Sequence, residues 1–185
     1  GRLLHTYGKE ADDEKFRGGC IFVDHSSGYI HVELQSHLSS HETLGAKKEF
    51  ETMSAGYGVV IQEYLSDNGT AFRNADYIAQ LEQFHQTMKH AAVGAHHSNG
   101  IAERSIGHVL SISRAMLHHC ALHWPDVSDV ELWPLAVLHA VHVLNRLPRE
   151  DSGMSPLELY SRKTLPRAKL QDLHVWGCPA YVPDL

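Results

Sequence analysis

Three cysteines in 185 residues, Cys20, Cys120 and Cys178, are too few and too scattered for a disulfide scaffold, and no C-x-x-C pair occurs. This excludes a stapled mini-fold and favours reduced, mostly buried thiols in a reducing compartment. No apolar run approaches the roughly 18 residues of a membrane span, so no membrane partner is expected. The first ten residues, GRLLHTYGKE, do not form a signal peptide, and position 1 is not Met. The expectation is a fragment of a larger intracellular product. Basic charge is also short, with 16 Lys and Arg against 22 Asp and Glu and a formal net charge of −6. A protein that grips nucleic acid by neutralising phosphates usually carries basic stripes. The 16 histidines add positive charge only below about pH 6.5. Internal repeats and low-complexity segments are absent.

What is present suits one globular domain: a chain long enough for a sizeable core, 43% hydrophobic and 21% charged. Residues 1 to 17 are polar and read as an arm or loop. Cys20-Ile21-Phe22-Val23 is a short apolar run that fits a strand, and His25-Ser26-Ser27-Gly28 is a turn. From Tyr29 to Gln35 the chain alternates, with Ile30, Val32 and Leu34 on one face and His31, Glu33 and Gln35 on the other. That is the period of a half-buried strand. Ser39 and Glu42 form a possible capping box for a helix reaching about Ala55, with Leu44, Phe50 and Met53 inward. Val59 to Leu65 reads as a central strand, Asn74 caps a helix carrying Tyr77, Ile78, Leu81 and Phe84, and Met88 to Val93 is a further strand.

Ile101 to His123 reads as one helix with an apolar stripe of Ala102, Ile106, Val109, Leu110, Met116, Leu117 and Cys120. Glu103, Gly107 and Arg114 border that stripe, which places Glu103 where the helix meets the sheet. Ser128 and Glu131 cap another helix reaching about Leu147, with Leu132, Leu135, Ala136, Val143 and Leu144 apolar. Residues 149 to 185 read as irregular with short elements. The alternation of strands and helices predicts a mixed α/β sheet with helices packed on it.

Two acidic residues stand out. Asp67 follows the apolar run 59–65 within Ser66-Asp67-Asn68-Gly69, and Glu103 opens the long helix within Asn99-Gly100-Ile101-Ala102-Glu103-Arg104. Thirty-five residues, 68 to 102, separate them. Mg²⁺ takes oxygen ligands, commonly one or two carboxylates with waters and substrate phosphates. Two-metal sites of that type drive in-line displacement at phosphorus. A bland reading stands beside each: Asp-Asn-Gly is a common turn, and a first-turn glutamate complements the helix dipole. The glycine-flanked loop Gly94 to Gly100 lies just before the helix, and binding residues often sit on such loops. Its His96 and His97 read better as plain loop histidines than as groups that contact phosphate or aid proton transfer. His118, His119, Cys120 and His123 look like a metal cluster, but the helical projection separates Cys120 from His119, so surface histidines are the better reading. Trp124, Trp133 and Trp176 read as core or interface anchors.

DNG at a strand end, a spacing of 35 and NG-x-x-E at a helix start together resemble the second half of the D,D-35-E signature of retroviral and retrotransposon integrases. Phe22 to Ile30 resembles the second and third strands of those proteins. Trp133 with Asn145-Arg146-Leu147-Pro148 resembles the copia-type helix ending in NR-x-P, and Ser155 to Tyr160 and Val175 to Val182 resemble the copia-type tail. The resemblance implies a ribonuclease H-like fold, with a core over 18–148 and a C-terminal extension over 149–185. It also implies a piece of a Pol polyprotein that trims the 3′ ends of element DNA and joins them to target DNA. The implied cofactor is Mg²⁺ or Mn²⁺ on Asp67 and Glu103. The implied partners are element ends, target DNA and further copies of the chain, in a nucleus or cytoplasmic particle. Asn68, Asn99, Arg104 and Arg114 are the DNA-contacting candidates. The resemblance also offers an account of the acidic charge, since flanking domains supply much of the DNA grip in integrases.

The signature is incomplete. Asp24 ends an apolar strand, but the resemblance puts that strand second, and Asp12 and Asp13 sit in polar surroundings. The preferred reading is that the first strand and its aspartate lie upstream of Gly1, with Asp24 as the alternative. Integrase lysines one and two turns after the glutamate are replaced by Gly107 and Leu110, which leaves Arg104 and Arg114 as the nearby substitutes. Two other functions stay open: a degenerate remnant acting as a dimerising module, and a ribonuclease H-like nuclease that cuts without joining.

Overall fold

The computed structural model describes residues 15–66, 72, 74–90, 100–166 and 173–179. The elements run β1 (Gly18–Val23), β2 (Ile30–Gln35), α1 (Ser40–Gly56), β3 (Glu63–Ser66), α2 (Ala75–Gln83), β4 (Thr87–His90), α3 (Gly100–His123), α4 (Trp133–Leu144) and α5 (Pro156–Ser161). Two 3₁₀ turns, Pro125–Val127 and Val130–Leu132, join α3 to α4. Among the described residues the strands form two ladders, an antiparallel β1–β2 hairpin and a parallel β3–β4 pair crossed over by α2.

Helices cover both faces of the hairpin. Phe22 and Tyr29 pack with Phe50 of α1, Tyr77 and Leu81 of α2, and Leu157 and Tyr160 of α5. Ile30 packs with Val109 of α3 and Val137, Ala140 and Val141 of α4, joined by Ile21, Val23 and Val32. The alternating strand Tyr29 to Gln35 is half-buried, as its pattern suggested, with burial greatest at its ends. Its polar face lies under α1, where the His31 ring sits 5.4 Å from that of Phe50 and bonds Glu33 at 3.0 Å. Partly buried polar side chains of this sort are tolerated when paired.

The helix caps follow from local chemistry. Ser39 accepts a hydrogen bond from the Glu42 amide at the start of α1, and Asn74 accepts one from the Asp76 amide at the start of α2. At α5 the capping box is complete: Ser155 and Glu158 satisfy each other's backbone amides. Other expectations are corrected. β3 begins at Glu63 rather than Val59, and only Tyr64 and Ser66 of it are buried. α4 begins at Trp133 rather than Ser128, because Asp129 caps a 3₁₀ turn first and Pro134 takes a first-turn position. On α3 the buried line is Val109, Ser113 and Cys120. Ile106 and Leu110 of the expected stripe are each 40% exposed. A 24-residue helix outruns the hairpin it packs on, so hydrophobic periodicity overstates its buried face.

Cys20 is half-buried and Cys120 buried, but Cys178 is exposed, which corrects the expectation for that residue. Burial pushes the Cys20 thiol up to about 12, leaving it un-ionised and inert near neutral pH. Gly177, at φ +80°, lets its chain segment approach α3 so closely that a Cβ there would lie 2.8 Å from the Cys120 sulfur.

One side chain joins the fold's two ends. The buried Asn145 amide donates to the Ile30 carbonyl at 2.7 Å and accepts from the Ile30 amide at 2.9 Å, across 115 residues. It pairs with β2 as a neighbouring strand would. Asn145→Leu strands both Ile30 groups away from water. Each buried unsatisfied group costs about 1–3 kcal/mol, so urea unfolding should show a loss of roughly 2–4 kcal/mol. A loss below about 1 kcal/mol would mean that water replaces the amide.

Candidate functional site

Two strand ends and one helix start converge on a single cleft of about 600 Å³. Its walls include Ile21 and Val23 of β1, Tyr64 and Leu65 of β3, and Ile101 and Ala102 in the first turn of α3. The cleft is lined from both ladders, by β1 from the hairpin and by β3 with Lys89 of β4 from the parallel pair.

Among the described residues two carboxylates line it, Asp24 and Glu63, the latter paired with Lys89 at 2.8 Å, and a third, Glu103, stands beside it. Asp24, directly after β1, lines the cleft. Its Oδ2 accepts from both the amide and the hydroxyl of Ser27, each at 2.7 Å, and closes the turn to Gly28. Glu103 follows the cleft-lining Ala102 and is solvent-exposed, so the expected placement at a buried helix–sheet border is corrected. Position 103 is early in the helix, before α3 settles onto the hairpin, and only from Val109 on is a residue of α3 buried. Among the described residues its carboxylate has no hydrogen-bond or ion-pair partner, and the positive end of the helix dipole favours its charge. Asp67 follows the last residue of β3, Ser66, and lies outside the described residues, as do Asn68, Asn99, Asp12, Asp13 and the loop residues 94–99.

With Lys89 pairing Glu63, the carboxylates at this cleft, Asp24, Glu63 and the neighbouring Glu103, offer oxygen donors. That suits a hard divalent cation of the Mg²⁺ class better than a soft metal. Among the described residues no group of three or more His, Cys, Asp and Glu side chains is placed to hold a metal ion. The His118–His123 run agrees with this. Cys120 is buried against the Gly177 segment, while the His119 ring stacks on His123 at 4.0 Å.

The basic candidates separate. Arg104 lines a second cleft of about 440 Å³ beside the first turn of α3, together with His108 and Arg149. Its Nε donates to the Gly100 carbonyl at 3.0 Å. Arg114 is exposed further along the helix and lines neither cleft. Sequence reasoning missed Arg149 as a site neighbour. The one signal for it was its position immediately after the NR-x-P motif.

No protein-family model matches the chain. It is 27% identical over 173 residues to the retrovirus-related Pol polyprotein from transposon RE1 of Arabidopsis thaliana, covering 91% of this chain and 11% of that polyprotein. The chain thus spans about one-ninth of the length of that relative. Among solved structures it resembles the HTLV-2 integrase catalytic core domain in complex with magnesium, trimeric form, with a TM-score of 0.56 and 22% identity over 77% of this chain and 84% of that one. It also resembles the catalytic core domain of BIV integrase, with a TM-score of 0.58 and 16% identity over 86% and 93%. Those likenesses agree with the hairpin, the crossover pair and the long helix: the chain has the ribonuclease H-like fold of integrase catalytic cores, and the polyprotein match supports an integrase core.

Proposed function

We propose that this chain is the catalytic core of a retrotransposon integrase, trimming the 3′ ends of element DNA and joining them to target DNA. The observation that supports it most is the convergence of β1, β3 and the first turn of α3 on one cleft, with Glu103 beside it and Asp67 next in the chain after β3. Asp67 and Glu103 are the proposed ligands of Mg²⁺ or Mn²⁺, which when bound would activate the attacking oxygen and stabilise the leaving one.

This chain's own contribution is placement. Glu103 presents an uncommitted carboxylate at the rim, backed by the helix dipole. Ile101, Val23 and Leu65 form an apolar wall that limits competing water. Asn68 and Asn99 are proposed to touch DNA or to orient the ligands, and Arg104 and Arg114 to contact its backbone. The third carboxylate is proposed to arrive on an extended segment upstream of Gly1, seated in the cleft between β1 and β3. Among the described residues β1 and β3 each pair with one neighbour only, which leaves one edge of each open to a further strand. Asp24 is the alternative, and one of its oxygens is already engaged by Ser27.

Self-association is proposed as well. Leu135 and Leu138 on α4 are exposed, as are Ile106 and Leu110 on α3, and apolar surface of this sort favours a second copy. Among the described residues no helix is long and apolar enough to cross a membrane.

The test is an oligonucleotide joining assay in Mg²⁺. Residues 1 to 185 alone should show no joining, and a chain extended through its upstream segment should show it. Robust joining by residues 1 to 185 would move the third ligand to Asp24. Cleavage without joining by the extended chain would identify a nuclease, and neither activity would identify a non-catalytic module.

A further inference from the structure

The cleft beside the first turn of α3 carries cations and no carboxylate in its lining. Arg104 and His108 come from α3 and Arg149 from the segment after α4, over a floor that includes Ile101 and Leu147. In a chain with 22 acids against 16 lysines and arginines, an acid-free lining is an exception to the overall balance. The hydroxyl-bearing residues Ser27 and Ser105 add polar groups to the wall. Ile101 belongs to this cleft and to the one between the ladders, so the two sites share a wall at the residue two before Glu103.

The arginines are held but not neutralised deep in the protein. Arg104 donates its Nε to a carbonyl of its own helical turn. Arg149 donates from Nη1 to the Ser27 carbonyl at 3.3 Å and from Nη2 to Asp151 at 2.8 Å. The Asp151 side chain is 62% exposed, and an exposed pair of this kind is readily exchanged for a stronger anion. A guanidinium presents a planar fork that matches phosphate oxygens.

We propose that this cleft seats a backbone phosphodiester of duplex DNA, gripped by Arg104 and Arg149, with the adjoining sugar over Ile101 and Leu147. The proposal rests on the DNA-joining reading and assigns the grip to a surface built from two distant parts of the chain. His108 stands on the same wall and adds a hydrogen-bond donor to phosphate. The shared wall at Ile101 makes the cleft a guide that leads the strand toward Glu103.

The experiment is fluorescence anisotropy of the full chain with an end-labelled duplex of arbitrary sequence, titrated at several salt concentrations. Variants are Arg104→Gln, Arg149→Gln and the pair, with Lys48→Gln on the exposed face of α1 as the equal-charge control. Removing one arginine–phosphate pair should lower the log–log salt slope by about 0.9. The double variant should therefore lose close to 2 units of slope and bind on the order of tenfold or more weakly at 0.1 M salt, while Lys48→Gln leaves the slope unchanged. If Arg149→Gln unsettles the fold through its Ser27 bond, Arg104→Gln alone carries the test, since the Arg104 bond to Gly100 stays within one helical turn. Binding with an unchanged slope in both arginine variants would overturn the cleft and leave the DNA reading standing. Equal losses in the Lys48 control would show nonspecific charge and also overturn it. A wild-type chain that binds no duplex at low salt would remove the DNA reading and this inference together.

Discussion

Glu103→Gln, placed in a polypeptide that joins DNA, should lower Mg²⁺-dependent joining by about 10³-fold, since a lost charged ligand removes several kcal/mol of transition-state stabilisation and each 1.36 kcal/mol is a factor of ten. Folding should be nearly untouched. Glu103 is exposed and has no partner among the described residues, so the amide removes one charge near the helix dipole, a change of about 0.5 kcal/mol. The two readouts must separate for the assignment to stand. Activity and unfolding midpoint falling together would reassign Glu103 to a structural role. Activity within about threefold of wild type, with folding intact, would take the metal role away from this residue.

The second large effect concerns stability. Lys47 is fully buried in α1, and its ammonium lies 2.9 and 3.0 Å from the two carboxylate oxygens of Glu51 one turn on. Glu51 also accepts from the Tyr64 hydroxyl at 2.7 Å and from the Gln86 side-chain amide. Burial, with the Glu51 carboxylate close by, raises the Tyr64 phenol far above its ordinary range, so it stays a neutral donor. This one carboxylate thus ties α1 to β3 and to the start of β4. Glu51→Gln leaves a buried ammonium without its counter-charge, and breaking one side of such a pair costs about 3–5 kcal/mol. Lys47→Met removes the charge that needs compensating, so the double variant Lys47→Met/Glu51→Gln should recover part of that loss. Urea unfolding followed by circular dichroism measures all three. A loss below about 1 kcal/mol for Glu51→Gln would show that water reaches Lys47 and that the pair is a surface contact.

The sequence by itself determined a good deal, and always through short-range chemistry. Ser39 and Asn74 mark helix starts because a side-chain oxygen two or three residues before an orphan amide can reach it whatever the rest of the chain does, whereas the Ser155 cap of α5 lies in a segment that reads as irregular. The turn at Asp24–Gly28 and the hairpin it closes were legible for the same reason. The pairing of Asp67 with Glu103 is a proposal from their spacing, and Asp67 lies outside the described residues. Only the tertiary structure decided what lies against what. Nothing in the alternation of 29–35 shows that its polar face lies under α1. Nothing in the periodicity of α3 shows where the hairpin beneath it ends and Ile106 and Leu110 become exposed. Asn145 and Lys47 read as an ordinary motif residue and an ordinary helix lysine. Their roles come from partners brought together by packing: Ile30 for the first, and Tyr64 and Gln86, through Glu51, for the second. The cleft that joins β1, β3 and α3 is likewise made by segments far apart in sequence, and a linear pattern carries no record of how they pack.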